Sequence, residues 1–190
     1  MLPQFQAIGQ ALAAKGLVSC FSGNLSVKLG ERLVITHRGS MLGAIGGADL
    51  VETGIGKNDR FTPLASTELE VHRYVYKRTP ALAIVHAHPL YAVALSLTTE
   101  EIIPRDMEGE KALGRVPILG NNLTTVEAGN LVEEITEALK RHKVVLVRGH
   151  GSFATGQLLE EAYYYTAVLE KSCHILYLLK TMGVALAAGE

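Results

Sequence analysis

The sequence predicts an α/β sandwich built around a mainly antiparallel sheet. Three observations point there. Short apolar, strand-like runs mix with amphipathic helical segments. They lack the strict strand–helix–strand alternation that a parallel sheet requires. No repeat, low-complexity tract or linker divides the chain, so residues 1–190 are expected to form a single domain.

The elements follow in order. Pro3–Lys15 is a helix with Phe5, Ile8 and Leu12 on one face and Gly16 as its stop. Asn24–Leu29 and Arg32–Thr36 are β-like runs joined by a turn at Gly30-Glu31. Gly39–Asp59 holds six glycines and is expected to be mostly loop and turn. Ser66 or Thr67 can cap a helix to about Arg78, which Thr79-Pro80 ends. Ala81–His88 has the character of a buried strand, and Pro89 opens a helix to about Leu97. Val116–Leu119 is a short strand. Thr125 caps a helix to about His142, with Glu127 and Glu133-Glu134 near its positive end. Val144–Arg148 is a second apolar strand, and Leu158–Met182 a long closing helix. That last helix is apolar around much of its surface, including Tyr164, Leu169, Leu176 and Leu178, which suits either core packing or a subunit interface.

Composition narrows the function. A 48% hydrophobic and 19% charged chain is globular, and its net charge of −1 gives no electrostatic reason to expect a nucleic acid or a membrane as partner. The two cysteines, Cys20 and Cys173, lack metal-ligand spacing and are expected to be reduced thiols of a cytoplasmic protein. The first residues lack the basic start and apolar run of a secretion signal. Ala81–Leu97 is apolar but too short, and too interrupted by His86, His88 and Pro89, to span a bilayer.

The chemistry concentrates in a few positions. His86 and His88 end a strand, where residues i and i+2 project from the same face, so their imidazoles can converge on one metal ion. His150 lies just beyond the next apolar strand between Gly149 and Gly151, which let the backbone turn sharply and leave room around the ring. Three neutral histidines with an open position are the arrangement of a catalytic metal site; the bland alternative is ordinary strand and turn histidines. His37, His72, His142 and His174 lack such context and fit the surface or a helix face. Glu68 opens the helix leading into the histidine strand. It is either a general base at the metal's open position or part of a helix cap. Ser22-Gly23-Asn24, Arg38-Gly39-Ser40 and Ser66-Thr67 are small polar clusters at element boundaries, suited to holding phosphate through N–H groups and hydroxyls. No nucleotide-binding glycine fingerprint is present.

Taken in order, Ser22-Gly23-Asn24, Val34-Ile35-Thr36 leading to Gly39, Ser66-Thr67-Glu68, Val85-His86-Ala87-His88, Val116-Pro117 and His150-Gly151 resemble the class II aldolase and adducin head-domain family, over about residues 5 to 180. The fuculose-1-phosphate aldolases are the nearest branch. The resemblance implies a three-layer α/β/α fold with a central mixed, mainly antiparallel sheet. It also implies a homotetramer with active sites between subunits, and Zn²⁺, or Mn²⁺ or Co²⁺ in its place, held by His86, His88 and His150. A ketose 1-phosphate would be cleaved to dihydroxyacetone phosphate and a short aldehyde, the metal acting as Lewis acid. Glu68 matches the acid/base at the enediolate carbon; Asn24, Gly39, Ser66 and Thr67 match phosphate-binding positions. Related ribulose-phosphate epimerases have aspartate where Glu68 stands, which favours the aldolase branch.

Three departures and three alternatives accompany the resemblance. The family's aldolases take a proton-donating tyrosine from a neighbouring subunit; here Ile102–Arg115 has none, and either Glu108 or Asp106 is the replacement. Arg38 replaces a small polar residue and is a further candidate phosphate partner. The chain also stops at Glu190 without the longer tail of some relatives. The alternatives are a sugar-phosphate epimerase, a methylthioribulose-phosphate dehydratase, and a non-catalytic adducin-like module.

Overall fold

A computed structural model describes residues 1–120 and 128–184. Eight strands form one mixed sheet in the order β3-β2-β1-β4-β8-β7-β6-β5. They are β1 (Asn24–Leu29), β2 (Arg32–Thr36), β3 (Leu50–Gly54), β4 (Ala83–Ala87), β5 (Glu101–Ile102), β6 (Val116–Leu119), β7 (Val144–Val147) and β8 (Gly151–Gly156). Only β6 and β7 run parallel; every other neighbouring pair is antiparallel. The helices are α1 (Leu2–Ala14), α2 (Leu69–Arg78), α3 (Leu90–Ser96), α4 (Met107–Leu113), α5 (Ala128–Leu139) and α6 (Leu159–Thr181).

Strand alternation sorts these into three layers. Val85, Leu146 and Ala154 point to one face, where they pack with Phe5, Ile8 and Leu12 of α1, Leu95 of α3, Leu113 of α4 and Leu169 of α6. Ile84, Val145 and Phe153 point to the other, against Leu69, Val75 and Tyr76 of α2 and Ile135 of α5. Each fully buried aliphatic or aromatic side chain in these two cores contributes about 1.5–3 kcal/mol of transfer free energy. The α/β/α architecture with a mixed, mainly antiparallel sheet is therefore as the sequence predicts. Among the described residues no helix is long and apolar enough to cross a membrane.

Local chemistry explains most boundaries. Gly30 turns between β1 and β2 at φ 59°, and Thr79, extended ahead of Pro80, ends α2. Four elements depart from the sequence expectation: β3 lies inside the glycine-rich stretch, and β5, α4 and β8 have no counterpart among the expected elements. The helix expected from Ser66 or Thr67 starts at Leu69, with Glu68 at the cap position and no side-chain cap bond. Ser66 still belongs to the sheet side, its N–H donating to the Thr36 carbonyl at 3.1 Å. The expected cap at Thr125 and the acidic Glu127 lie outside the described residues.

Candidate metal centre

The three central strands bring the site together. His86 lies on β4 opposite Asn24 of β1 and Phe153 of β8, so one line across the sheet joins all three. By alternation His86 faces the α2 layer, as Ile84 does, and Phe153 stacks on its ring at 4.2 Å between centroids. His88 follows the strand directly. His150 ends the turn from β7 to β8, where Gly149 takes φ 66°, a left-handed conformation that glycine adopts without strain. Gly151 leaves space on the inner side: a Cβ there would run into the Ala87 carbonyl and come within 2.8 Å of His88 Cδ2.

The candidate ligand nitrogens of His86, His88 and His150 lie within 4.8 Å of one another. The His86 tautomer follows from its contacts. Its Nδ1 is 2.9 Å from the Ser152 carbonyl oxygen, which can only accept, so Nδ1 carries the proton and Nε2 presents a lone pair. Burial, opposed by the Glu68 charge, pushes this imidazole down to about 3, and it is neutral at physiological pH. Burial and the neighbouring His150 also push His88 down.

Glu68 completes the cluster from the start of α2. One oxygen is 3.0 Å from His150 Nε2; the other is 3.2 Å from both His86 Nε2 and the Asn24 amide nitrogen. Burial pushes the carboxyl up, yet the hydrogen bond with His150, the nearby His86 and the Asn24 amide outweigh it and hold Glu68 at about 2. The helix-cap alternative is thus excluded, because the carboxylate turns to the histidines instead. An anionic carboxylate facing the unprotonated Nε2 of His86 sets lone pair against lone pair, an arrangement that a cation between them relieves. The donor set of three imidazole nitrogens and one carboxylate fits a divalent ion such as zinc, cobalt or manganese.

Beside these ligands lies a polar cavity of about 210 Å³ whose lining includes Ser22, Gly23, Asn24, Arg38, Gly39, Ser66 and Thr67. All four residues singled out from the sequence as phosphate contacts line it, together with Glu68 and the three histidines. Beyond Glu68 and His150 a second cavity, about 320 Å³, opens between α2 and α5 with Val71, Leu131, Ile135 and Phe153 among its lining.

Asp106 and Glu108 are not brought to this cluster within one chain. Asp106 caps α4, accepting from the Gly109 N–H at 2.9 Å and from the Ser172 hydroxyl at 2.6 Å. Glu108 pairs with Lys171 of α6 at 2.7 Å. His174 is exposed and His142 half-buried, and His37 lies at the rim of the polar cavity. His72 lies on the buried face of α2. Its Nδ1 is 2.6 Å from Ser26 Oγ, which is also 2.6 Å from the Tyr76 hydroxyl. Residues 68, 72 and 76 form one stripe at helical spacing that meets Asn24 and Ser26 at strand spacing. That match of periods was visible in the sequence; the roles of the Ser152 carbonyl and Phe153 were not, because β8 carries no apolar run.

Comparison with known proteins identifies the family. The family described as class II aldolase and adducin N-terminal domain matches residues 4–177. The crystal structure of L-fuculose-1-phosphate aldolase from Thermus thermophilus superposes with a TM-score of 0.88 at 38% identity, covering 99% of this chain and 98% of that one. L-fuculose phosphate aldolase of Methanocaldococcus jannaschii is 30% identical over 92% of this chain and 94% of its own. Methylthioribulose-1-phosphate dehydratase of Acidiphilium cryptum is 29% identical over 86% of this chain and 83% of its own. The chain belongs to the class II aldolase and adducin N-terminal domain family.

Proposed function

We propose that this protein is a metal-dependent aldolase that cleaves a fuculose 1-phosphate-like ketose 1-phosphate to dihydroxyacetone phosphate and a short aldehyde. The observation that carries the proposal is the convergence of His86, His88, His150 and Glu68 at one end of a cavity otherwise lined by Asn24, Gly39, Ser66 and Thr67. The similarity to L-fuculose phosphate aldolases supports it.

His86, His88 and His150 would hold the ion, which we take to be Zn²⁺, with Mn²⁺ or Co²⁺ as substitutes. A divalent cation there supplies Lewis-acid charge opposite oxygens that become negative during cleavage. The Ser66 and Thr67 hydroxyls and the N–H groups around Gly39 would bind the phosphate, with Arg38 adding charge at the rim. Glu68, within reach of the histidine cluster, would be the acid/base at the enediolate carbon, which takes up a proton once the C–C bond has broken. The apolar cavity beyond it suits the short carbon end of an aldehyde.

As the C–C bond breaks, the hydroxyl on the aldehyde fragment loses its proton to become a carbonyl, and a second copy would accept that proton through Glu108 or Asp106. Of the two, Glu108 is favoured. Burial pushes the Asp106 carboxyl up, but the Ser172 and Gly109 hydrogen bonds hold it below its usual value, which makes it a weak base. Assembly into a homotetramer would cover apolar side chains that a single chain leaves exposed, among them Leu90, Tyr177 and Leu178. We place the protein in the cytoplasm, where Cys20 and Cys173 remain reduced.

The experiment is product analysis with fuculose 1-phosphate and the metal-loaded protein. Release of dihydroxyacetone phosphate supports the aldolase. A second reading, dehydration of a methylthioribulose phosphate, is favoured by the dehydratase relative. It leaves the carbon skeleton whole, so products that retain every carbon would replace the first reading with the second.

A further inference from the structure

His86 and His150 are positioned by different means. The His86 ring is fully buried and locked by the Ser152 carbonyl. The His150 side chain is 44% exposed, and its one hydrogen bond to another described side chain is the one to Glu68. Its location therefore depends on the backbone of the turn, which passes through the left-handed Gly149.

That turn is clamped to α3. Arg148 Nη1 donates to the carbonyls of Ser96 at 2.6 Å and Thr99 at 3.1 Å, and Nη2 pairs with Glu100 at 2.8 Å. The Gly149 N–H donates to Ser96 Oγ at 2.9 Å, and that fully buried hydroxyl donates in turn to the Val93 carbonyl at 2.7 Å. The other end of α3 begins directly after His88-Pro89, where Glu170 accepts the Tyr91 and Ala92 N–H groups at 3.0 Å each. One short helix thus ties the backbone beside His88 to the backbone beside His150.

We infer that Arg148 and Ser96 are positioning residues for the metal: they fix His150 relative to His88, so cation affinity depends on a clamp whose members are not ligands of the ion. This rests on the metal reading above. Arg148 suits the task because its planar guanidinium holds the two carbonyls through Nη1 and the Glu100 carboxylate through Nη2 in one fixed fork. Outer contacts that orient a ligand typically change metal affinity ~10–100-fold.

The test is Co²⁺ titration of the metal-free full-length protein, followed by its visible absorption, with thermal unfolding of the metal-free form measured in parallel. The variants are Arg148→Met, Ser96→Ala and, as a control, Glu100→Gln. Arg148→Met keeps the side-chain stem and loses the donors; Ser96→Ala loses the acceptor for Gly149. Each should weaken Co²⁺ binding by about tenfold or more and alter the absorption bands, which report ligand geometry. Glu100→Gln removes only the charge of an exposed carboxylate, leaves the Arg148 contacts to the two carbonyls, and should bind as the wild type does. Wild-type affinity in the folded Arg148→Met and Ser96→Ala proteins, even with a lowered melting temperature, would overturn the inference by showing a purely structural clamp. A wild-type protein that takes up no Co²⁺ would overturn the metal reading itself, and the clamp with it.

Discussion

Replacing Gly151 with alanine separates room for the ligands from mere backbone freedom. Gly151 begins β8 and pairs with Val147, while its neighbour Ser152 pairs with Ala87. The added Cβ would collide with the Ala87 carbonyl and lie 2.8 Å from His88 Cδ2 and 3.2 Å from His86 Cε1. Ala87 is fully buried on a strand paired on both sides, so its carbonyl has little room to retreat. The turn at Gly151 has to shift to clear the carbonyl, and His88 has to withdraw beyond 3.4 Å to reach ordinary contact. That displacement exceeds the ~0.2 Å tolerance of a metal–ligand distance. Overpacking of this kind costs about 1–3 kcal/mol of stability. Gly151→Ala should therefore unfold at lower denaturant and lose most of its bound metal. Gly39→Ala is the comparison: at φ 72° with nothing near its Cβ, it costs about 1–2 kcal/mol in backbone strain and leaves metal content unchanged. Measured by denaturant titration and elemental analysis, wild-type stability and metal content in Gly151→Ala would refute this reasoning.

Three further outcomes follow from the same contacts. Burial, opposed by the Glu68 charge, pushes His72 down from 6.5 to about 4, so the unfolded chain binds this proton more readily. Metal-free protein should lose on the order of 3 kcal/mol from this group as pH falls from 6.5 towards 4, and gain nothing from it above 6.5; a flat stability profile in that window by urea titration would contradict it. Tyr76→Phe removes the hydroxyl shared with Ser26 and should cost about 1 kcal/mol by urea titration, with metal content retained. Ser152→Ala should be neutral or slightly stabilising, because its buried hydroxyl finds no partner among the described residues while the carbonyl that fixes His86 remains; a loss of metal in this variant would argue against that tautomer assignment.

What the sequence disclosed follows from how strongly each element signals itself. β1, β2, β6 and β7 are apolar runs with turn residues at their ends, and α1, α3 and α6 carry continuous helical patterns, so their limits were legible within a residue or two. β3 keeps its alternation at Val51-Glu52-Thr53, but the glycines around it masked a strand that only pairing with β2 sustains. β8 is more hidden still: Gly151-Ser152-Phe153-Ala154 has little β-propensity, and its place between β4 and β7 makes it a strand. The histidine cluster was legible because strand periodicity and flanking glycines announce it. Glu68 was ambiguous because a carboxylate at a helix start serves a cap or a site equally well, and only the distance to His150 decides. The clamp from Arg148 to α3 joins residues 49 to 52 positions apart, and Gly149 to Ser96 spans 53, so neither leaves a local trace.

The most direct test of the central claim is the metal stoichiometry of the purified wild-type protein and of His86→Ala, measured alongside activity before and after chelation. Metal dependence predicts about one divalent ion per chain in the wild type, none in His86→Ala, and activity lost on chelation and restored by adding the ion back. A wild-type protein that cleaves its substrate after complete removal of metal would contradict it.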